Sequence, residues 1–406
     1  MADLEPFEIK VPQERLDWIA ERIDEYEWFE EPVDAGWQYG CNQDYLKELV
    51  KYWRHSYDWR DEEEALNVYP HFIAPVSVDE EEIDIHFIHQ KGSNPENRPI
   101  ILLHGWPGSF FELLHLCEPL SHPEKHGGKA EDGRDVIIPS LVGYGFSGPP
   151  SKPIGPRKQA EYMNGLMTDV LGFEDYVVQG GDWGALIAAW LGFDFGKPKD
   201  GPVHAIHMNM IGVRPGGDAT AALGGSAVLA PETKEELEWA QKAGLRMATE
   251  MGYFMVQATK PQSLSYGMMD SPVGTAAWLT EKFENWSDLS GKGEMGGKLE
   301  NTYTKDQLLT NIMLYIVTRR FNTAAWQYYG ARTEGSFAFP KGEKCEVPTG
   351  VATYPVEIAV PPPRSYAEKG YNIVHWKDQP KGGHFAAFEQ PELFLDDLRS
   401  FLSEWG

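Results

Sequence analysis

The sequence predicts an α/β fold, a mostly parallel sheet flanked by helices, with a helical lid insertion and an N-terminal module. Three observations predict it. From Pro99 onward, short apolar runs at Ile100–Leu103, Val136–Pro139, Tyr176–Gln179 and Val203–Met208 alternate with helical stretches, the rhythm of parallel strands joined by crossover helices. Between about Gly212 and Gly342 the rhythm stops, then resumes at Gly350–Tyr354 and Asn372–Trp376 before an amphipathic C-terminal helix. The third observation is the segment Val177-Val178-Gln179-Gly180-Gly181-Asp182-Trp183-Gly184. A valine-rich buried strand runs into small residues that permit a sharp turn, and Ala185–Leu191 reads as a buried helix.

This strand–turn–helix elbow exposes a nucleophile at the top of an α/β-hydrolase fold, and here the exposed residue is Asp182. A serine at that position suits esters and amides. A carboxylate needs no base to remove a proton before it attacks, and it suits displacement at an sp³ carbon such as that of an epoxide or an alkyl halide.

The elements divide the chain into residues 1–95 as the N-terminal module, 96–212 as the first part of the core, 213–342 as the lid and 343–406 as the second part of the core. In the module, Gln13–Trp28 places Leu16, Ile19, Ile23 and Tyr26 on one helical face, and a second helix from about Gln43 repeats the pattern. Strands at His71–Val76 and Ile83–His89 flank an acidic turn. In the lid, helical patterns cover Glu235–Met251, Thr275–Trp286 and Asp306–Tyr329, punctuated by Gly216-Gly217, Gly224-Gly225 and Gly296-Gly297.

The bulk properties exclude several functions. With 36 basic and 62 acidic side chains among 406 residues, the formal charge is −26, which repels nucleic acid and anionic lipid. The runs Asp61-Glu62-Glu63-Glu64 and Asp79-Glu80-Glu81-Glu82 read as solvated faces, and neither has the interleaved glycine of a calcium loop. Three cysteines, Cys41, Cys117 and Cys345, at irregular spacing argue against a disulfide framework and a zinc site. The acidic start has no apolar signal region, and no run approaches the ~20 apolar residues of a membrane span, so a cytoplasmic protein is expected.

Other residues complete the chemistry. His384, in Lys381-Gly382-Gly383-His384-Phe385, falls last in the order nucleophile, acid, histidine, and would activate water against an alkyl–enzyme ester. His104 and His375 read as structural. Glu357, just beyond a strand at the C-terminal edge of the sheet, would orient the imidazole, with Asp218 the runner-up. Backbone N–H groups of Trp183, and of Trp106 in His104-Gly105-Trp106-Pro107-Gly108, would stabilise the oxyanion. An epoxide oxygen needs a proton donor, and Tyr253 and Tyr329 in the lid are candidates among 18 tyrosines.

Taken together these segments make the chain resemble the microsomal-type epoxide hydrolases. The similarity runs from Pro6-Phe7-Glu8-Ile9-Lys10-Val11-Pro12 through Tyr57-Asp58-Trp59-Arg60 and Leu66-Asn67 to His104-Gly105-Trp106-Pro107 and Gly181-Asp182-Trp183-Gly184. It continues through Gln257-Ala258-Thr259-Lys260-Pro261-Gln262, Asp270-Ser271-Pro272-Val273-Gly274, Tyr354-Pro355-Val356-Glu357 and Gly382-Gly383-His384-Phe385. The resemblance implies Asp182 as nucleophile, His384 as base, Glu357 as its partner and two lid tyrosines as donors to the epoxide oxygen. The first is Tyr253; the second falls on the doublet Tyr328-Tyr329, with Tyr329 favoured and Tyr328 the alternative. It implies no cofactor and no metal, and homodimers are frequent in the family. The membrane-bound animal members carry an N-terminal anchor, and none is expected here.

The expected reaction is hydrolysis of an apolar epoxide to a vicinal diol. Phe, Trp and Met residues across the lid suggest aryl or alkyl epoxides in preference to charged ones. A haloalkane dehalogenase with the same Asp nucleophile is the nearest alternative, but it has no need of paired phenols. A non-catalytic binding protein fits poorly with three filled catalytic positions, and a serine esterase lacks its Gly-x-Ser-x-Gly elbow.

Overall fold

The computed structural model describes Leu4 and residues 6–220, 227–289 and 299–406, so Gly224-Gly225 and Gly296-Gly297 lie outside the described residues. The strands are β1 (His71–Val78), β2 (Glu81–Gln90), β3 (Ile100–Leu103), β4 (Val136–Pro139), β5 (Tyr176–Gly180), β6 (Val203–Met208), β7 (Gly216–Thr220), β8 (Ala227–Val228), β9 (Cys345–Thr353) and β10 (Tyr371–Asp378). Eight of them form one sheet in the order β1-β2-β4-β3-β5-β6-β9-β10. β1 and β2 are an antiparallel edge, and the other six run parallel. The fold is that of an α/β hydrolase, as the sequence predicts. Every residue of β3, β4 and β5 is buried because both faces of a parallel sheet are covered, which is why these strands read as unbroken apolar runs.

The hairpin β1–β2 is continuous with the main sheet, since β2 pairs with β4 from Phe87 against Pro139 to Gln90 against Val136. A helix not recognised in the sequence, Trp59–Leu66, precedes it. Its acidic run is only partly a solvated face. Glu63 is buried and accepts hydrogen bonds from the Val11 N–H (2.6 Å) and the Trp59 indole (3.1 Å), tying the N-terminal strap to the helix. The buried apolar faces of helices Gln13–Asp24 and Gln43–His55 join the same core.

The lid is more finely divided than its periodicity indicates. The pattern read as one helix over Asp306–Tyr329 is two, Lys305–Val317 and Phe321–Glu334, separated at Arg319, whose φ is +58°. No glycine or proline marks this break, and buried residues continue on both sides of it. Helices Lys234–Glu250, Gly252–Thr259, Pro261–Asp270 and Pro272–Trp286 complete the described lid, with β7 and β8 forming a separate antiparallel pair. Among the described residues no helix is long and apolar enough to cross a membrane.

Register brings the site together. Leu103 pairs with Gly180 and Gly180 with Met208, so the C-terminal ends of β3, β5 and β6 are level. β9 lies beside β6 and leads to Glu357, while β10 leads to the loop that carries His384.

Candidate active site

Asp182 sits at the tip of the elbow between β5 and helix Trp183–Asp194, with φ +47° and ψ −125°. A non-glycine residue held there stores about 1–3 kcal/mol of strain and persists only because its surroundings enforce it. The enforcement is visible. A Cβ at Gly184 would strike the Leu103 carbonyl, one at Gly181 the Asn209 amide, and one at Gly105 the Asp182 side chain itself. The helix that follows is apolar all round, with eleven of its residues buried, and anchors the turn from below.

Helix Lys305–Val317 holds the loop after β3 from above. The Asn311 amide donates to the Pro107 carbonyl (2.7 Å), the Ser109 hydroxyl donates to the Asn311 carbonyl (2.8 Å) and the Tyr315 hydroxyl donates to the Gly108 carbonyl (2.7 Å). The Trp106 N–H consequently points at the elbow and donates to Asp182 Oδ1 at 2.7 Å. Trp183 is the first residue of its helix, where N–H groups have no intrahelical acceptor.

His384 Nε2 lies 3.3 Å from Asp182 Oδ2, and its Nδ1 lies 2.7 Å from Glu357 Oε1. Glu357 Oε1 also accepts from the Ala359 N–H at 3.0 Å. Burial alone would lower the His384 pKa, but the flanking carboxylates Glu357 and Asp182 outweigh it and hold the imidazole well above its ordinary value. His384 is kept in place by the lid through its backbone and its ring. Its N–H donates to the Trp286 carbonyl (2.9 Å), and the Trp286 ring meets the imidazole edge to face at 5.0 Å. Asp218, the alternative acid, is on β7 and pairs at the surface with Lys341. His104 is structural as expected: it accepts from the Leu141 N–H at 3.2 Å, and burial lowers its pKa to about 4. His375 is held by Asp397 at 3.0 Å.

The lid tyrosines require one correction. Tyr253 is buried with its ring stacked on Trp106 (5.2 Å, 5°). Its companion is Tyr328, whose ring meets Trp183 at 4.7 Å, Trp106 at 5.6 Å and Tyr253 at 5.9 Å. Tyr329, favoured from the sequence, is 37 % exposed on the other side of the helix. One residue turns a helix by about 100°, so only one member of the doublet can face Asp182. Burial, reinforced by the Asp182 charge, raises the pKa of Tyr253 and Tyr328 well above that of free tyrosine, so both remain protonated donors.

Asp182, Tyr253 and Tyr328 open onto a cavity of about 240 Å³. Its lining is largely apolar, with Leu186, Ile211, Met247, Met251, Phe254 and Phe337 prominent, but it also includes Arg214, which the sequence reading did not place. Asp182 also borders a smaller recess, whose mostly apolar lining includes Leu113, Phe385 and Phe388 together with the polar side chains of Gln179, Asn209, His384 and Glu112. Burial raises the Glu112 pKa to about 8, with the Asp182 charge adding to the effect. Glu112, Asn311 and Tyr315 were not singled out in the sequence. None of the three lies in a motif, and their roles depend on contacts made only in the folded chain. Among the described residues no group of three or more His, Cys, Asp or Glu is placed to hold a metal ion.

The elbow and sheet define the class, an α/β hydrolase; residues 98–220 match the family model described as alpha/beta hydrolase fold. Residues 4–113 match a second model, epoxide hydrolase N terminus. The chain is 35% identical over 98% of its length to epoxide hydrolase 1 of Oryctolagus cuniculus, covering 88% of that protein. It superposes on the juvenile hormone epoxide hydrolase of the silkworm Bombyx mori with TM-score 0.84 and 32% identity, covering 99% of this chain and 95% of that one. For the Aspergillus niger epoxide hydrolase the TM-score is 0.80 at 27% identity, covering 100% and 97%. The protein belongs to the epoxide hydrolase family and is an epoxide hydrolase.

Proposed function

We propose that the enzyme opens an epoxide by attack of Asp182 and releases the diol by hydrolysis of the resulting ester. The observation that carries this reading is the alignment of Asp182, His384 and Glu357 through contacts of 3.3 and 2.7 Å, with two buried phenols facing the same cavity. An Asp182 carboxylate oxygen bonds to an epoxide carbon, the carbon–oxygen bond of the ring breaks, and Tyr253 or Tyr328 protonates the departing oxygen. His384 then takes a proton from water, whose oxygen attacks Cγ of the Asp182 ester. The tetrahedral oxyanion is met by the N–H groups of Trp106 and Trp183.

Collapse expels the alkoxide, which takes the proton back from His384, and the remaining proton of the water restores the phenol. Glu357 keeps the imidazole oriented and stabilises its cationic form. The recess beside His384, with Glu112 in its lining, offers space for the attacking water. The division 1–95, 96–212, 213–342 and 343–406 then separates the part that completes the sheet edge, the core that supplies Asp182, the lid that supplies the phenols and the core that supplies His384.

Trapping tests the reading. In His384→Gln the nucleophile is intact and the water-activating base is lost. A peptide containing Asp182 should gain the mass of the epoxide while steady-state diol formation falls by about 10³-fold or more. A variant that neither accumulates this adduct nor forms diol would contradict the two-step assignment.

A further inference from the structure

The large cavity runs from Asp182 to Arg214, and its end next to Arg214 has an electrostatic character that an apolar substrate does not use. Arg214 is only partly accessible, and among the described residues its guanidinium has no ion pair or hydrogen bond. Its nearest compensation is aromatic: the guanidinium carbon lies 5.5 Å from the centre of the Trp239 ring. That ring is fixed by its indole N–H, which donates to the Val360 carbonyl at 2.9 Å, and by the Tyr366 ring at 4.7 Å.

An aromatic face attracts a cation but accepts few of the five N–H groups of an arginine. Burial lowers the Arg214 pKa, the direction expected of a cation short of counter-charge. A partly buried arginine with no carboxylate partner is costly to a fold, and the cost is offset when an anion arrives. In a chain of formal charge −26 the overall field repels anions, so recognising one requires a local cation of this kind. The rest of the lining contributes one other charged side chain, Asp182, and apolar walls between.

We propose that Arg214 is the recognition site for a carboxylate, and that the preferred substrates are apolar epoxides carrying a carboxylate at the end remote from the ring. The inference rests on the same cavity being the epoxide site. It reverses the expectation that charged epoxides are disfavoured. The guanidinium forms paired, charge-assisted hydrogen bonds with the carboxylate, which fixes the distance from Arg214 at which an epoxide carbon is presented to Asp182.

The test compares an epoxide of a long-chain carboxylic acid with its methyl ester, at neutral pH, in the full-length enzyme. The acid should exceed the ester in kcat/KM by about tenfold or more, chiefly through KM. In Arg214→Met the ratio should collapse to about one, and Arg214→Lys should restore part of it. A wild-type ratio near or below one, or a ratio unchanged in Arg214→Met, overturns the proposal. Should Arg214→Met fail to fold, inhibition of the wild-type enzyme serves instead. A long-chain carboxylate should inhibit hydrolysis of the methyl ester at least tenfold more strongly than the matching alcohol, and equal inhibition overturns the proposal. Diol from both substrates at equal efficiency leaves the cavity assignment standing, whereas diol from neither would remove the reading on which it rests.

Discussion

At the residue scale, environment more than residue type determines what each side chain can do. Two neighbouring tyrosines in one helix differ completely: Tyr328 is buried against Trp106 and Trp183, and Tyr329 is exposed. Tyr328→Phe should lower kcat/KM for a neutral epoxide by about ten- to a hundredfold, because one of two preorganised donors is removed, whereas Tyr329→Phe should stay within about twofold. Equal effects of the two substitutions in steady-state assays would contradict the assignment. Glu112 gives a pH-dependent prediction. Its folded pKa of about 8 lies above the ordinary carboxyl value of 4.5. Between those values the folded protein holds a proton that the unfolded chain has released, so this group's contribution to stability falls as pH rises through that window. Glu112→Gln removes the loss. Its Tm should gain on the wild type progressively from about pH 5 to about pH 8, and a constant difference across that range would show that Glu112 titrates normally.

At the element scale, the lid is both a cover and a clamp. Helix Lys305–Val317 holds the Trp106 loop through Asn311 and Tyr315, and the end of helix Pro272–Trp286 receives the His384 N–H. Asn311→Leu leaves the Pro107 carbonyl without its donor and the Ser109 hydroxyl without its acceptor, at a cost of about 1–3 kcal/mol per buried unsatisfied group. The Trp106 N–H would then be less well aimed at Asp182. Chemical denaturation should report the stability loss, and single-turnover kinetics a slower ester hydrolysis. An unchanged hydrolysis rate would assign Asn311 to stability alone. None of this was legible from periodicity. Asn311 and Tyr315 look like ordinary members of an amphipathic helix, and the break at Arg319 carries no glycine or proline signal. The parallel strands were legible because burial on both faces writes itself as continuous apolar runs, and Asp182, Glu357 and His384 because each follows a strand at the same sheet edge. Which face of the helix Phe321–Glu334 meets the cavity depends on packing, and the spacing of the doublet does not show that it is Tyr328 that lines it.

At the scale of the whole molecule, the lid covers the edge of the sheet at which Asp182, Glu357 and His384 meet, while the N-terminal strap and the hairpin β1–β2 lie outside the lining of that site. Glu63 shows why the hairpin's neighbourhood was harder to read: within a run of like charges only its position in the fold makes it a buried acceptor for Val11 and Trp59. Arg214 is the same problem in the cavity, a cation whose isolation can be seen only once its neighbours are assembled. On the proposed reading an epoxide meets one carboxylate, and Asp182 becomes covalently alkylated before water acts. The most direct measurement is a single turnover with excess enzyme in water enriched in ¹⁸O. The diol should carry no label, because its new oxygen comes from Asp182, and the label should instead appear in the Asp182 carboxylate. Label in the diol from that first turnover would mean that water attacks the epoxide directly, and would contradict the account.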